Sequence, residues 1–231
     1  MPSLPDVARA IDGALPFVTV STEPSAATTW VGDVIAHAAA GADPLAPWRR
    51  ALVGRQHSEH KPHVAAAFVL QWWCDVVATP LAYAAELGPW VLLPSPMGLG
   101  FELAPGLHPS RIVLLPGAVE VVPREQAGAD AGTSSGRNSG TEASRSAALE
   151  ASSAAYDSLV GGVARHFAPD VKMSSRQRWG VVSDRWVAAV RAARVAAGRP
   201  VGPEQQRISC CFIVALPGMK ACAACPRHAP S

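Results

Sequence analysis

Apolar residues recur at helical spacing through most of this chain, and the pattern changes twice. "SLPDVARAIDGAL" reads as a short helix, with Pro5 early and Asp6 in its first turn. "FVTVS" reads as a short strand. "SAATTWVGDVIAHAAAG" predicts a second helix ended by Gly41, and "PLAPWRRALVGRQ" a shorter third. The longest apolar stretch, "HKPHVAAAFVLQWWCDVVATPLAYAAELG", predicts a long helix that Pro80 kinks or splits and that Gly88 and Pro89 stop.

Between residues 90 and 122 the period shortens. "WVLLPSPMGLGFELAPGLHPSRIVLLPGAVEVV" holds β-rich runs cut by Pro and Gly, which predict three or four antiparallel strands. The connections are too short for crossover helices, which argues against a parallel doubly wound sheet. Residues 126–147 lose apolar periodicity altogether and read as a flexible Gly/Ser/Ala-rich linker or insertion. Helical spacing then returns in "ALEASSAAYDSLVGGVARHFA" and "SSRQRWGVVSDRWVAAVRAARVAAG". In the latter, Ser174 or Ser175 caps the start, and Gly198 with Pro200 ends it. Trp179, Val182, Trp186 and Val190 form its expected apolar face, with Arg178, Arg185 and Arg194 away from that face.

The expected fold is therefore α+β and mainly helical, with a small antiparallel sheet in the middle. Residues 1–125 supply helices and then the sheet, and 126–147 the linker. Residues 148–231 supply helices and a C-terminal cysteine segment, packed with the first part as one domain. A length of 231 residues, 49% hydrophobic content and a mean hydropathy of +0.15 allow a substantial core and argue against global disorder.

"MPSLPDVARAIDGAL" lacks the basic start and continuous apolar run of a signal peptide. "VAAAFVLQWWCDVVATPLA" is apolar enough to suggest a membrane span but carries Gln71, Asp75 and Pro80. An Asp near the centre of a span costs roughly 2.5–3.5 kcal/mol, so a buried core helix is the expectation. Both readings place the chain in the cytoplasm, without stable membrane insertion.

Net charge is +2, unevenly spread: Arg165 to Arg227 holds eleven Lys/Arg against three Asp/Glu. Four of the five cysteines fall in this positive part, as Cys210-Cys211, ten residues, Cys222, two residues, Cys225. In a reducing compartment, clustered thiols point to metal or redox chemistry rather than structural disulfides. Zinc sites with four cysteines usually use two Cys-x2-Cys turns, and only the second pair here has that form. Adjacent side chains in extended backbone point to opposite sides, so the first pair reaches one small ion only if the backbone bends. A two-iron cluster is a wider target. The spacing thus favours [2Fe-2S] and leaves zinc open. A thioredoxin-like reading of "CAAC" fails for want of a following helix.

"RISCCFIVALPGMKACAACP" resembles the C-terminal signature of the FhuF-like ferric-siderophore reductases, including the "LPG" between the cysteine pairs. "PHVAAAFVLQWW" and "SSRQRWGVVSDRW" resemble further family segments, in the family's order. The resemblance implies a [2Fe-2S] cluster held by Cys210, Cys211, Cys222 and Cys225. It implies one-electron reduction of a ferric siderophore, with release of Fe(II). No matched position carries over a siderophore-binding role. The alternatives are a non-enzymatic [2Fe-2S] electron carrier or redox/iron sensor, and a zinc-stabilised interaction module.

Other features refine this picture. Arg207, Lys220, Arg227 and the backbone N–H groups of "PGMKACAAC" are candidates for tuning the cluster potential. His57, His60 and His63 in "HSEHKPH" read as a polar loop or, less simply, a metal site. Trp72 or Trp73 belongs in the core or on a chelate-binding wall, and Cys74 is a buried small residue. "PMGLGFELAPG" has no dinucleotide or phosphate-loop pattern, so the electron donor is expected to be a protein. There is no hydrolase motif and no nucleic-acid-binding signature.

Overall fold

Ser3 opens the first helix, α1 (Leu4–Asp12). Its hydroxyl accepts from the Asp6 N–H while the Asp6 carboxylate accepts from the Ser3 N–H, which satisfies two end donors reciprocally. The computed structural model describes residues 2–55, 61–127, 137–222 and 224–227. Strand β1 (Thr19–Ser21) follows, anchored to α1 by the Val20 N–H, which donates to the Asp12 carboxylate at 2.7 Å. Then come β2 (Thr29–Trp30), α2 (Val31–Ala39) and α3 (Ala46–Arg55).

Helix α4 (Lys61–Leu87) is the axis of the fold. Over Pro62–Leu87 its mean hydropathy is 1.4, enough by composition to cross a membrane, but 78% of its most apolar window is buried inside the protein. It packs along both later helices and against α3 and the strands. Pro80 does not split it: the helix runs through that position, and Pro80 is itself buried. Dense packing on several sides holds the helix where the missing N–H would otherwise let it break.

Strands β3 (Trp90–Pro94), β4 (Leu99–Leu103), β5 (Pro109–Leu114) and β6 (Val119–Pro123) occupy the stretch expected to be β-rich. The fold is mainly helical α+β, 54% helix and 13% strand. The strands do not make one antiparallel sheet. Four form a mixed sheet in the order β1-β5-β4-β2, with β1 parallel to β5, and β3 pairs with β6 in a separate antiparallel ribbon. The parallel edge arises because β1, tied to α1, reaches the sheet beside a strand some ninety residues later in the chain (Thr19 opposite Arg111).

Helix α5 (Arg124–Ala127) follows β6, and α6 spans Arg137–His166. The segment expected to be linker is therefore helical at both ends, and its residues 137–147 belong to α6. The glutamate, alanines and arginines there are adequate helix formers. Arg145 and Glu142 pair along the helix, and Ala148 packs beneath with Ala85 and Val91. Helix α7 (Ser175–Ala196) starts at Ser174, whose hydroxyl accepts from the Gln177 N–H.

The buried face of α7 keeps three of the four expected positions, Val182, Trp186 and Val190, and loses Trp179. Gly180, Val181, Val182, Ala189 and Ala193 are buried and Trp186 stacks on Tyr156 at 5.3 Å, whereas Trp179 is 42% exposed. Two of the arginines expected to point away from the core instead face α4: Arg185 donates to Asp75 at 2.6 Å and Arg194 to Glu86 at 2.8 Å. A carboxylate on the core helix draws each guanidinium inward, and apolar periodicity alone cannot register that.

Candidate metal centre

The cysteine segment lies against α7, and side chains of that helix hold its backbone. Gln177 makes both main-chain bonds of Cys210: its Nε2 donates to the carbonyl at 2.5 Å, and its Oε1 accepts from the N–H at 3.2 Å. About two turns later on α7, Asp184 accepts from the N–H groups of Ile208 (2.9 Å) and Ser209 (2.8 Å) and from the Ser209 hydroxyl (2.5 Å). Between them Gly180 lets the segment close in. A Cβ there would sit 2.8 Å from Ile208 Cγ2, closer than such atoms pack.

Arg207 ties the segment to the rest of the fold. Its guanidinium donates to Gln71 Oε1 of α4 at 3.1 Å and lies 3.7 Å from Asp184, while its N–H donates to the Ala224 carbonyl at 3.0 Å. Gln206 reaches the Cys225 carbonyl at 3.4 Å. The two cysteine pairs are thereby brought alongside each other.

The local backbone supplies the bend the adjacent pair needs. Phe212 adopts a left-handed conformation (φ 57°), uncommon for a non-glycine residue, and a single 3-10 turn follows at Ile213–Ala215. The bend directs the Phe212 N–H to Cys210 Sγ at 3.4 Å. Gly218, at φ 75°, reverses the chain in the "LPG" turn, and the Cys225 N–H donates to the Cys222 carbonyl at 3.0 Å to close the second pair.

Cys210, Cys211 and Cys225 are buried, Cys222 is half-buried, and all are free thiols. They sense one another. Burial pushes the Cys210 thiol up, and the neighbouring Cys225 and Cys211 add to that, against the N–H of Phe212 and the charge of Arg227. Burial likewise raises Cys222; Cys211 and Cys225 reinforce it, Cys211 also by a side-chain hydrogen bond, and Arg207 opposes it. Packing several buried thiolates together is unfavourable unless a cation compensates, which is the setting in which a soft metal deprotonates its ligands. The donor set therefore fits a thiophilic metal or cluster. As the side chains stand, no three His, Cys, Asp or Glu groups among the described residues converge closely enough to hold one metal ion.

The other candidates separate clearly. Arg207 touches the segment; Arg227 lies 5.6 Å from the Phe212 ring centre and lowers the Cys210 thiol; Lys220 is exposed. The sulfur-directed N–H found here is that of Phe212, outside "PGMKACAAC". His57 and His60 lie outside the described residues. His63 is exposed, its ring 5.8 Å from that of Phe212. Trp73 is fully buried, and Trp72 stacks on Trp48 at 5.9 Å within an aromatic cluster. Cys74 is fully buried. Gln177 and Asp184, which organise the segment, were not singled out from the sequence, and Gln71 was noted only as a polar residue in the apolar helix. As isolated polar residues they look like ordinary surface.

No family model, curated protein or solved structure matches this chain.

Proposed function

We propose that this protein holds a [2Fe-2S] cluster through Cys210, Cys211, Cys222 and Cys225 and reduces ferric siderophores in the cytoplasm, so that iron leaves the chelate as Fe(II). The observation that carries the reading is that Gln177, Asp184 and Gln206 bind the backbone of the segment that bears both thiol pairs, so that its four thiols belong to one organised stretch. Thiol donors alone, the first two adjacent, suit a centre wider than a single tetrahedral ion. Such a cluster, when bound, supplies electrons singly.

The chemistry asked of the chain is modest. Siderophores grip Fe(III) through hard oxygen donors, and Fe(II), softer and less charged, is held less well. One electron therefore loosens the chelate without any bond to the protein. Gln177 and Asp184 fix the backbone around the first ligand pair. Arg207 and Arg227 place positive charge beside the thiolates, which favours the reduced state. Burial of Cys210, Cys211 and Cys225 limits water at the sulfurs. With no nicotinamide or flavin pattern in the sequence, the reductant is a one-electron donor protein.

Iron, acid-labile sulfide and the visible spectrum of anaerobically purified protein test the cofactor. The expected result is about two irons and two sulfides per chain, with a brown colour that dithionite bleaches. Reoxidation of the bleached protein by ferric siderophores, faster than by unrelated one-electron acceptors, tests the activity. Equal rates with all acceptors would favour the electron carrier, and one zinc without sulfide the interaction module.

A further inference from the structure

A cavity of about 670 Å³ opens between α7 and residues 204–208, and Cys222 forms part of its wall. This is the one cysteine of the four that is not buried. Ala188 and Ala192 line the α7 side. Val187, Val195 and Ile208 also line the cavity and are 48%, 57% and 49% exposed. These side chains give the cavity an apolar wall that a ligand entering it would cover. The volume is that of a small-molecule site, and apolar walls with a few placed polar groups are its usual makeup.

Three arginines line the cavity, and they are not equivalent. Arg185 is neutralised by Asp75 at 2.6 Å, and Arg207 lies beside Asp184 at 3.7 Å. Arg191 donates to the Gly202 carbonyl and has no carboxylate within ion-pair distance among the described residues. Glu204 also lines the cavity, is exposed, and forms no ion pair among the described residues. The wall thus offers one guanidinium with unspent charge, next to apolar surface and a cysteine of the metal centre.

We infer that this cavity seats the ferric chelate as an anion, with Arg191 as its charge partner and the Val187, Val195 and Ile208 side chains against its organic framework. The inference rests on the reductase reading and assigns that reading a substrate site. The chelates selected are those whose catecholate or carboxylate oxygens leave net negative charge on the complex. A chelate so placed lies beside Cys222. A cluster held by Cys210, Cys211, Cys222 and Cys225 would supply the single electron that Fe(III) takes up, and the donor protein would replace it. No proton or group moves. Glu204 opposes the anion and sets an upper limit on its affinity.

Gallium(III) complexes test the site without redox chemistry, because gallium replaces iron in such chelates and is not reduced. An anionic gallium tris-catecholate and a neutral gallium tris-hydroxamate are titrated calorimetrically into the cluster-loaded protein. Arg191→Gln is expected to weaken the anionic complex about tenfold, the loss of one charge-assisted contact, and to leave the neutral one within about twofold. Glu204→Gln should tighten the anionic complex. Ala188→Trp, which fills the cavity, should weaken both. The visible spectrum of the cluster should stay unchanged in all three variants.

Unchanged anionic binding in Arg191→Gln overturns the inference, as does absence of any gallium binding to the loaded protein. So does an Arg191→Gln effect confined to electron uptake from the donor protein, which would assign this face to the donor. Gallium binding with the expected Arg191 dependence but without ferric reduction leaves the site standing and removes the reductase. Chelate-selective reduction that ignores Arg191 does the reverse.

Discussion

The side-chain amide of Gln177 binds both main-chain groups of Cys210, donating to its carbonyl at 2.5 Å and accepting from its N–H at 3.2 Å. A helix residue thus stands in for the neighbouring strand that an irregular segment lacks. With both groups held, the backbone of the first cysteine is fixed by α7 rather than by any metal.

Replacing that amide should loosen the centre without unfolding the protein. Gln177→Leu leaves both Cys210 groups without their partner, at about 1–3 kcal/mol for each one kept from water. The expected outcome is a cluster that loses its visible absorbance in air several-fold faster than wild type. Gln177→Glu keeps the acceptor, loses the donor and should fall between the two. Equal bleaching rates in all three proteins would show that the clamp does not hold the ligand.

The cysteines themselves divide four to one. Cys222→Ser should abolish or strongly destabilise the cluster, because a hydroxyl is a poor substitute for a thiolate toward iron. Cys74, fully buried in α4 beside Tyr156, should tolerate serine with iron and sulfide content unchanged. Iron analysis of the two variants checks this directly. A full cluster in both would move the ligand set elsewhere.

Glu86, fully buried near the end of α4, is expected to be a stability hot spot. Arg194 donates to one of its carboxylate oxygens at 2.8 Å, and Arg199 binds the other oxygen and the Glu86 carbonyl. The pair of arginines joins the end of α4 to α7 and to the chain leading into the cysteine segment. Glu86→Ala removes the shared carboxylate from two guanidinium groups that are 40% and 22% exposed and still reach water, so it should cost about 1–3 kcal/mol, a fall in melting temperature of roughly 5 °C for a chain of this size. Changing all three to apolar residues of similar volume, Glu86→Leu with Arg194→Met and Arg199→Met, should recover most of the loss. Calorimetry on both proteins decides it. An unaltered Glu86→Ala melting temperature would mean that the clamp contributes nothing net.

Much of this architecture is written in local signals. Pro5 and Asp6 announce α1, Ser174 or Ser175 announces α7, and the Gly and Pro residues between 88 and 118 cut the strands. The cysteine spacing picks out the candidate ligands. What stayed hidden depends on partners distant in sequence. The three-residue strand β1 carries no mark of its parallel neighbour β5. Arg185 and Arg194 read as a polar face because periodicity counts residues and not the carboxylates of Asp75 and Glu86 across the helix pair. Gln177 and Asp184 look like solvated helix positions until an irregular segment more than twenty residues later folds onto them. Residues 137–147 lack an apolar stripe, yet their alanines, arginine and glutamate carry a helix once Ala148 is packed.

Cys74 gives the fold a distinct alkaline limit. Burial pushes its thiol from the usual 9.0 up to about 12, the Asp75 charge adding to the rise and Tyr156 and Arg185 opposing it. Between these two values the folded chain keeps a proton that the unfolded chain has released. The contribution is therefore fully present below pH 9 and is lost as the pH climbs toward 12. The slope approaches ~1.4 kcal/mol per pH unit in that window, so wild type should lose about 1.4 kcal/mol between pH 8 and pH 10 from this group alone. Cys74→Ala lacks the titrating thiol. It should start less stable by about 1 kcal/mol for the small cavity and then decline less steeply, the two curves meeting near pH 10. Urea unfolding of both proteins across that range measures the difference. Parallel curves would mean that the thiol is not shielded as its burial implies.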